Sequence, residues 1–173
     1  SSGTLSANNV GSGGGAVSLS GTGVFAGQVN AGSGNVTLTA RNGNITGNGA
    51  SLITGSVVKL LAPVTGGYAI GQAGNALRTA AGEIQATGSS IFLYQAQGAA
   101  LLQNIQAVNG ITINGVSDLT ANLVSTSANN GSIQLNAEGG SILRANANSV
   151  LSGSSISLQA LADDAIRASL AAH

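Results

Sequence analysis

Acid/base catalysis requires a pair of carboxylates, and the acidic residues of this 173-residue chain are Glu83, Asp118, Glu138, Asp163 and Asp164. Asp163 and Asp164 are adjacent, which in a strand sends their side chains to opposite faces, and no nearby His or Lys pattern supports them. The only histidine is His173, the last residue, so it serves neither a charge-relay triad nor a metal site. The chain contains no Cys, which excludes a thiolate metal site and a disulfide framework. Calcium-binding solenoids repeat Gly-Gly-x-Gly-x-Asp; the run Gly-Ser-Gly-Gly-Gly at 11–15 has the glycines without the aspartates. These residues predict a protein that is not an enzyme and that carries no cofactor and no metal.

Other residues suggest binding instead of catalysis. Arg41, Lys59, Arg78, Arg144 and Arg167 are candidates for a basic stripe, and Tyr68, Arg78 and Tyr94 are the candidate ligand contacts. Asn35, Asn44 and Asn130 head Asn-x-Ser/Thr triplets, the acceptor pattern for glycosylation. Thr37-Leu38-Thr39 is a single Thr-x-Thr pair; an ice-binding surface needs a rank of them. Five basic against five acidic residues give no net field, so no nucleic-acid partner is expected.

The elements that position these residues follow from a repeat. A β-branched residue, any residue, then Leu or Ile recurs at Val17/Leu19, Val36/Leu38, Val58/Leu60, Ile91/Leu93, Ile111/Ile113, Ile133/Leu135 and Ile156/Leu158. The leading residues are 19, 22, 33, 20, 22 and 23 apart. All steps but one suit a single coil of a β-solenoid. A longer block, Gly34-Asn-Val-Thr-Leu-Thr-Ala-Arg-Asn-Gly-Asn-Ile45, matches Gly131-Ser-Ile-Gln-Leu-Asn-Ala-Glu-Gly-Gly-Ser-Ile142 at an offset of 97, and 55–62 matches 153–160 at 98. Alternation with period two places Val36, Leu38 and Ala40 on one strand face and Thr37 and Thr39 on the other. Gly- and Asn-rich stretches such as Asn42-Gly43-Asn44 supply the corners.

The predicted fold is all-β, a right-handed parallel β-helix with coils of roughly 19–23 residues, forming one segment over 1–173. Asn-Gly at 42–43, 109–110, 114–115 and 130–131 is also a hairpin signal; recurrence once per coil, against about 8–12 residues for a meander, favours the solenoid. The long step from Val58 to Ile91 contains the only proline, Pro63, and predicts an irregular insert at about 63–90. Within it Tyr68, Ile70, Leu77 and Ile84 should pack back on the body, and 72–81 suits a short helix. Residues 161–173 read as a last coil that frays, with Ile166 in the place of Ile45 and Ile142. Mean hydropathy of +0.31 with regularly spaced apolar residues argues against disorder. No run of about twenty apolar residues and no basic-then-apolar leader occurs, so an export signal is expected outside this stretch.

The repeated Gly-x-Val/Ile-x-Leu-x-Ala followed by Gly-x-Ile, with Ile70-Gly-Gln-Ala-Gly-Asn-Ala-Leu77 and Gly131-Ser-Ile133, resembles filamentous-haemagglutinin-like exoproteins of two-partner secretion. The resemblance covers about residues 15–166. It implies a shaft that projects adhesive or toxic modules from the Gram-negative cell surface, flanked by further coils of the same polypeptide and secreted through an outer-membrane transporter. The Asn-Pro motifs of that family's secretion domain are absent, which implies an internal segment, and the shaft has no catalytic residues to carry over. The expected function is thus a structural shaft segment; the alternative is an adhesive segment that contacts a host-cell glycan or receptor through 63–90.

Overall fold

The computed structural model describes residues 3–161 and 166–167. Fourteen strands follow in chain order: β1 Leu5–Gly11, β2 Val17–Gly21, β3 Val24–Asn30, β4 Val36–Ala40, β5 Ile45–Thr46, β6 Leu52–Leu61 and β7 Leu77–Gln95. Then come β8 Ala100–Gly115, β9 Leu119–Thr126, β10 Ser132–Ala137, β11 Ile142–Arg144, β12 Val150–Ser152, β13 Ser155–Ala160 and β14 Ile166–Arg167. Every ladder between named strands is parallel, and no helix occurs among the described residues. The architecture is a parallel β-solenoid in which each coil crosses three faces.

The register defines those faces. On the first, Leu19, Leu38, Leu60, Ala86, Ile105, Val124 and Leu151 stack in one column. On the second, Leu5, Val24, Ile45, Ile70, Ile91, Ile111, Ile133 and Ile156 form a column eight layers high. The third carries Val10, Val29, Ile53 and Thr79 in the early coils, and Ala100, Leu119, Ile142 and Ile166 in the later ones. The strand β7, with 19 residues, passes over all three faces, and its period-two alternation changes phase at the two corners, after Ala81 and at Gly88–Ser89.

The core is aliphatic. Leu38, Ile45, Leu60, Ile70, Ile91, Leu93, Ile105 and Ile113 are fully buried. Each buried Leu or Ile contributes roughly 1.5–3 kcal/mol relative to exposure, and β-branched residues suit the pleat. The alternation read from the sequence holds at β4, where Val36, Leu38 and Ala40 are buried and Thr37 and Thr39 are not.

The seven Val/Ile-x-Leu copies, however, do not form one column. Val17, Val36 and Val58 stack on the first face. Ile91, Ile111, Ile133 and Ile156 stack on the second. The partner of Val58 one coil on is Ile84, and that of Ile91 one coil back is Ile70. The 33-residue step is therefore a change of face. Along the second column the steps are 19, 21, 25, 21, 20, 22 and 23 residues, so the Ile45-to-Ile70 coil carries only a few extra residues.

The stretch 63–90 is accordingly divided. Residues 63–76 are mostly turn, with Ile70 seated in the column, and residues from Leu77 onward belong to β7. Ile70, Leu77 and Ile84 are buried and Tyr68 packs against the core, as their apolar character predicts. The short helix expected over 72–81 does not form. Gln72 and Asn75 close a tight turn through mutual backbone bonds of 3.2 and 3.0 Å, and Gly71 and Gly74 take positive φ. Leu77, Thr79 and Ala81 then face inward at every second residue, the period of a strand.

Ile166 pairs with Ile142, as the repeat predicts, whereas Ile45 lies in a different column. Asp163, Asp164 and His173 lie outside the described residues, as does most of the expected last coil.

Candidate functional site

Each described carboxylate is engaged in holding the coil. Glu83 accepts a bond from Gln85 Nε2 at 2.7 Å, Asp118 Oδ1 accepts the Ser141 N–H at 2.7 Å, and Glu138 accepts the Tyr94 hydroxyl at 3.2 Å. No group of three His, Cys, Asp or Glu residues capable of holding a metal occurs among the described residues.

Of the three candidate ligand contacts, the structure brings two together. The Arg78 guanidinium lies 5.0 Å from the centroid of the Tyr94 ring, a cation–π contact. Tyr94 thus bridges a cation on its ring and a carboxylate at its hydroxyl. Burial and the neighbouring Glu138 charge and hydrogen bond hold its phenol above the usual tyrosine value, against the opposing pull of Arg78. Tyr68 stands apart, donating its hydroxyl to Asn42 Oδ1 at 2.9 Å. That bond ties the 63–76 turn to the preceding coil.

Lys59 and Arg144 do not share a stripe: Lys59 sits between Thr37 and Gln85 on the first face, and Arg144 pairs with Ala121 in the third-face series. Thr37 and Thr39 have Ser18 and Ser20 on one side and Lys59 and Leu61 on the other, so the Thr-x-Thr pair is not repeated in adjacent coils. The triplet asparagines Asn35, Asn44 and Asn130 are all exposed, and Asn44 Oδ1 accepts the Ala69 N–H at 2.8 Å.

Two features escape motif reading. Gln95 is completely buried and acts as a surrogate strand where the chain shortcuts the third face. Its Oε1 accepts from Thr79 Oγ1 at 2.8 Å and the Ala81 N–H at 3.4 Å, and its Nε2 donates to Ala81 O at 2.8 Å and Gln97 O at 2.6 Å. The second is a two-row grid on the outside of the second face. Phe92, Thr112, Gln134 and Ser157 are stacked in one row; Tyr94, Asn114, Asn136 and Gln159 form the other. The signal for it was present: these are the variable positions beside Leu93, Ile113, Leu135 and Leu158 in the repeat.

A shallow groove of about 350 Å³ lies where the first face turns toward the second, lined by Val64, Thr87, Gln106, Val108 and Ser127. It contains no ionisable group. No family model, no curated protein and no solved structure matches the chain.

Proposed function

We propose that this chain is a structural shaft segment of a large secreted surface adhesin of a Gram-negative bacterium, holding adhesive or effector modules away from the cell. The observation that carries this reading is the second-face column, which keeps one apolar template from Leu5 to Ile156. Seven steps at the interstrand spacing of about 4.8 Å make a rod roughly 34 Å long. The absence of cysteine suits a chain that crosses an outer-membrane transporter before folding.

In this reading the carboxylates and the Arg78–Tyr94 pair stabilise coils and react with nothing. The test is replacement of the segment, within the whole surface protein, by an unrelated β-solenoid of equal length. Retained surface display and adhesion support a spacer. Retained display with lost adhesion overturns it.

A further inference from the structure

The outward grid on the second face has a composition that a passive spacer does not require. From Ser90 onward β7, β8, β10 and β13 stack with no bulge, so the eight side chains stand in two straight rows on a locally regular surface. The rows extend about 14 Å along the axis at the interstrand spacing. Two of the eight are aromatic and six are amides or hydroxyls; none is charged. The core contains no aromatic residue at all, and Phe92 and Tyr94 stand on the solvent side.

The polar members of the grid keep spare hydrogen-bonding capacity. Amides at the corners are spent on their own turns: Asn30 on the Gly32 N–H, Asn48 on Ala50 and Asn146 on Asn148. Thr112, Asn114, Gln134, Ser157 and Gln159 make no side-chain hydrogen bond within the described residues. Tyr94, by contrast, is fixed in orientation by Arg78 and Glu138, so the aromatic end of the grid is held in place before any ligand arrives.

We propose that this grid binds an uncharged polysaccharide laid along the solenoid axis. Sugar rings present an apolar C–H face to Phe92 and hydroxyls to the amides beyond it, the combination of aromatic surface with a few placed polar groups that binding sites use. Nucleic acid and anionic glycans require a cationic surface; none of the eight positions is cationic, and the one guanidinium at the grid, Arg78 on the Tyr94 ring, is matched by the Glu138 carboxylate at the Tyr94 hydroxyl. A peptide strand requires an open ladder edge, and the grid presents strand faces. The proposal is independent of the shaft reading, which assigns this surface no role.

The test is affinity gel electrophoresis of the full chain in gels containing mixed-linkage β-glucan, xyloglucan, galactomannan or dextran. At least one polymer should retard the chain, equally at low and high salt. The triple variant Phe92→Ala/Asn114→Ala/Gln134→Ala should lose about tenfold in affinity, whereas Thr37→Ala/Thr39→Ala on the first face should bind as the parent does. Circular dichroism checks that each variant is folded; if the triple variant is not, Gln134→Ala alone, at an exposed position, should still weaken retardation. Unchanged migration in all four polymers, or equal retardation of parent and grid variants, overturns the proposal.

Discussion

Val36 and Ile133 hold the same place in matching sequence blocks yet lie on different faces of the solenoid: Val36 stacks between Val17 and Val58, Ile133 between Ile111 and Ile156. The displacement persists through the block. Ile45 belongs to the second-face column and Ile142 to the third. The turns that follow are alike: Asn48 N–H donates to Ser51 Oγ at 2.7 Å and Asn146 N–H to Ser149 Oγ at 2.9 Å. A block that fits either position shows that the three faces are nearly interchangeable as packing environments.

If the columns support the fold, the cost of truncation depends on which way a residue points. Ile91→Ala, in the fully buried column, should destabilise by about 2–5 kcal/mol in urea unfolding. Phe92→Ala, the next residue and outward, should cost about 1 kcal/mol or less despite removing more atoms.

Gly71 marks the point where the short second-face bridge leaves the column. Its φ is +69°, and a Cβ there would lie 2.1 Å from the Phe92 carbonyl oxygen. Gly74 also has positive φ, +77°, but a Cβ would meet open space. Gly74→Ala should therefore cost about 1 kcal/mol of backbone strain, and Gly71→Ala clearly more, about 3 kcal/mol or above, as measured by chemical denaturation.

Gln95→Leu should destabilise although it replaces a polar core residue by an apolar one. It leaves the Ala81 N–H and C=O and the Thr79 hydroxyl without partners, at about 1–3 kcal/mol for each group that water cannot reach. A melting temperature equal to or above that of the parent would show that the amide contributes nothing.

Much of this architecture was legible. Strand alternation, the coil length and the burial of Ile70, Leu77 and Ile84 followed from apolar spacing. The assignment of faces did not, because the first and second faces use the same Val/Ile-x-Leu signature and Ile70 contributes a lone bridge between glycine-rich turns. The helix expected over 72–81 failed because Ala and Leu suit either state, and the positive-φ glycines decide between them. Of the nominated contacts, Arg78 and Tyr94 do meet; their 16-residue separation gave no hint of it, since β7 passes over all three faces between them. Gln95 was invisible because a buried glutamine has no sequence signature.

Tyr94 ties this surface to alkaline pH. Its phenol is raised above the value in the unfolded chain, so the associated stability is complete below the unfolded value and is lost as pH rises through the folded one. In a Tyr68→Phe background, phenolate absorbance reports Tyr94 alone. Glu138→Gln should move that titration down, and Arg78→Ala should move it up; shifts of opposite sign would refute the assigned contacts.

The central structural claim, that the long step between Val58 and Ile91 holds a complete coil and a change of face, is open to cysteine pairing in a chain with no native cysteine. Lys59 stacks on Gln85 in the observed register, whereas simple continuation of the repeat would set it beside Phe92. Oxidation of Lys59→Cys/Gln85→Cys should give an intramolecular disulfide, because neighbouring strands lie within disulfide reach, and Lys59→Cys/Phe92→Cys should give none. A disulfide in the second variant and none in the first would contradict the solenoid described above.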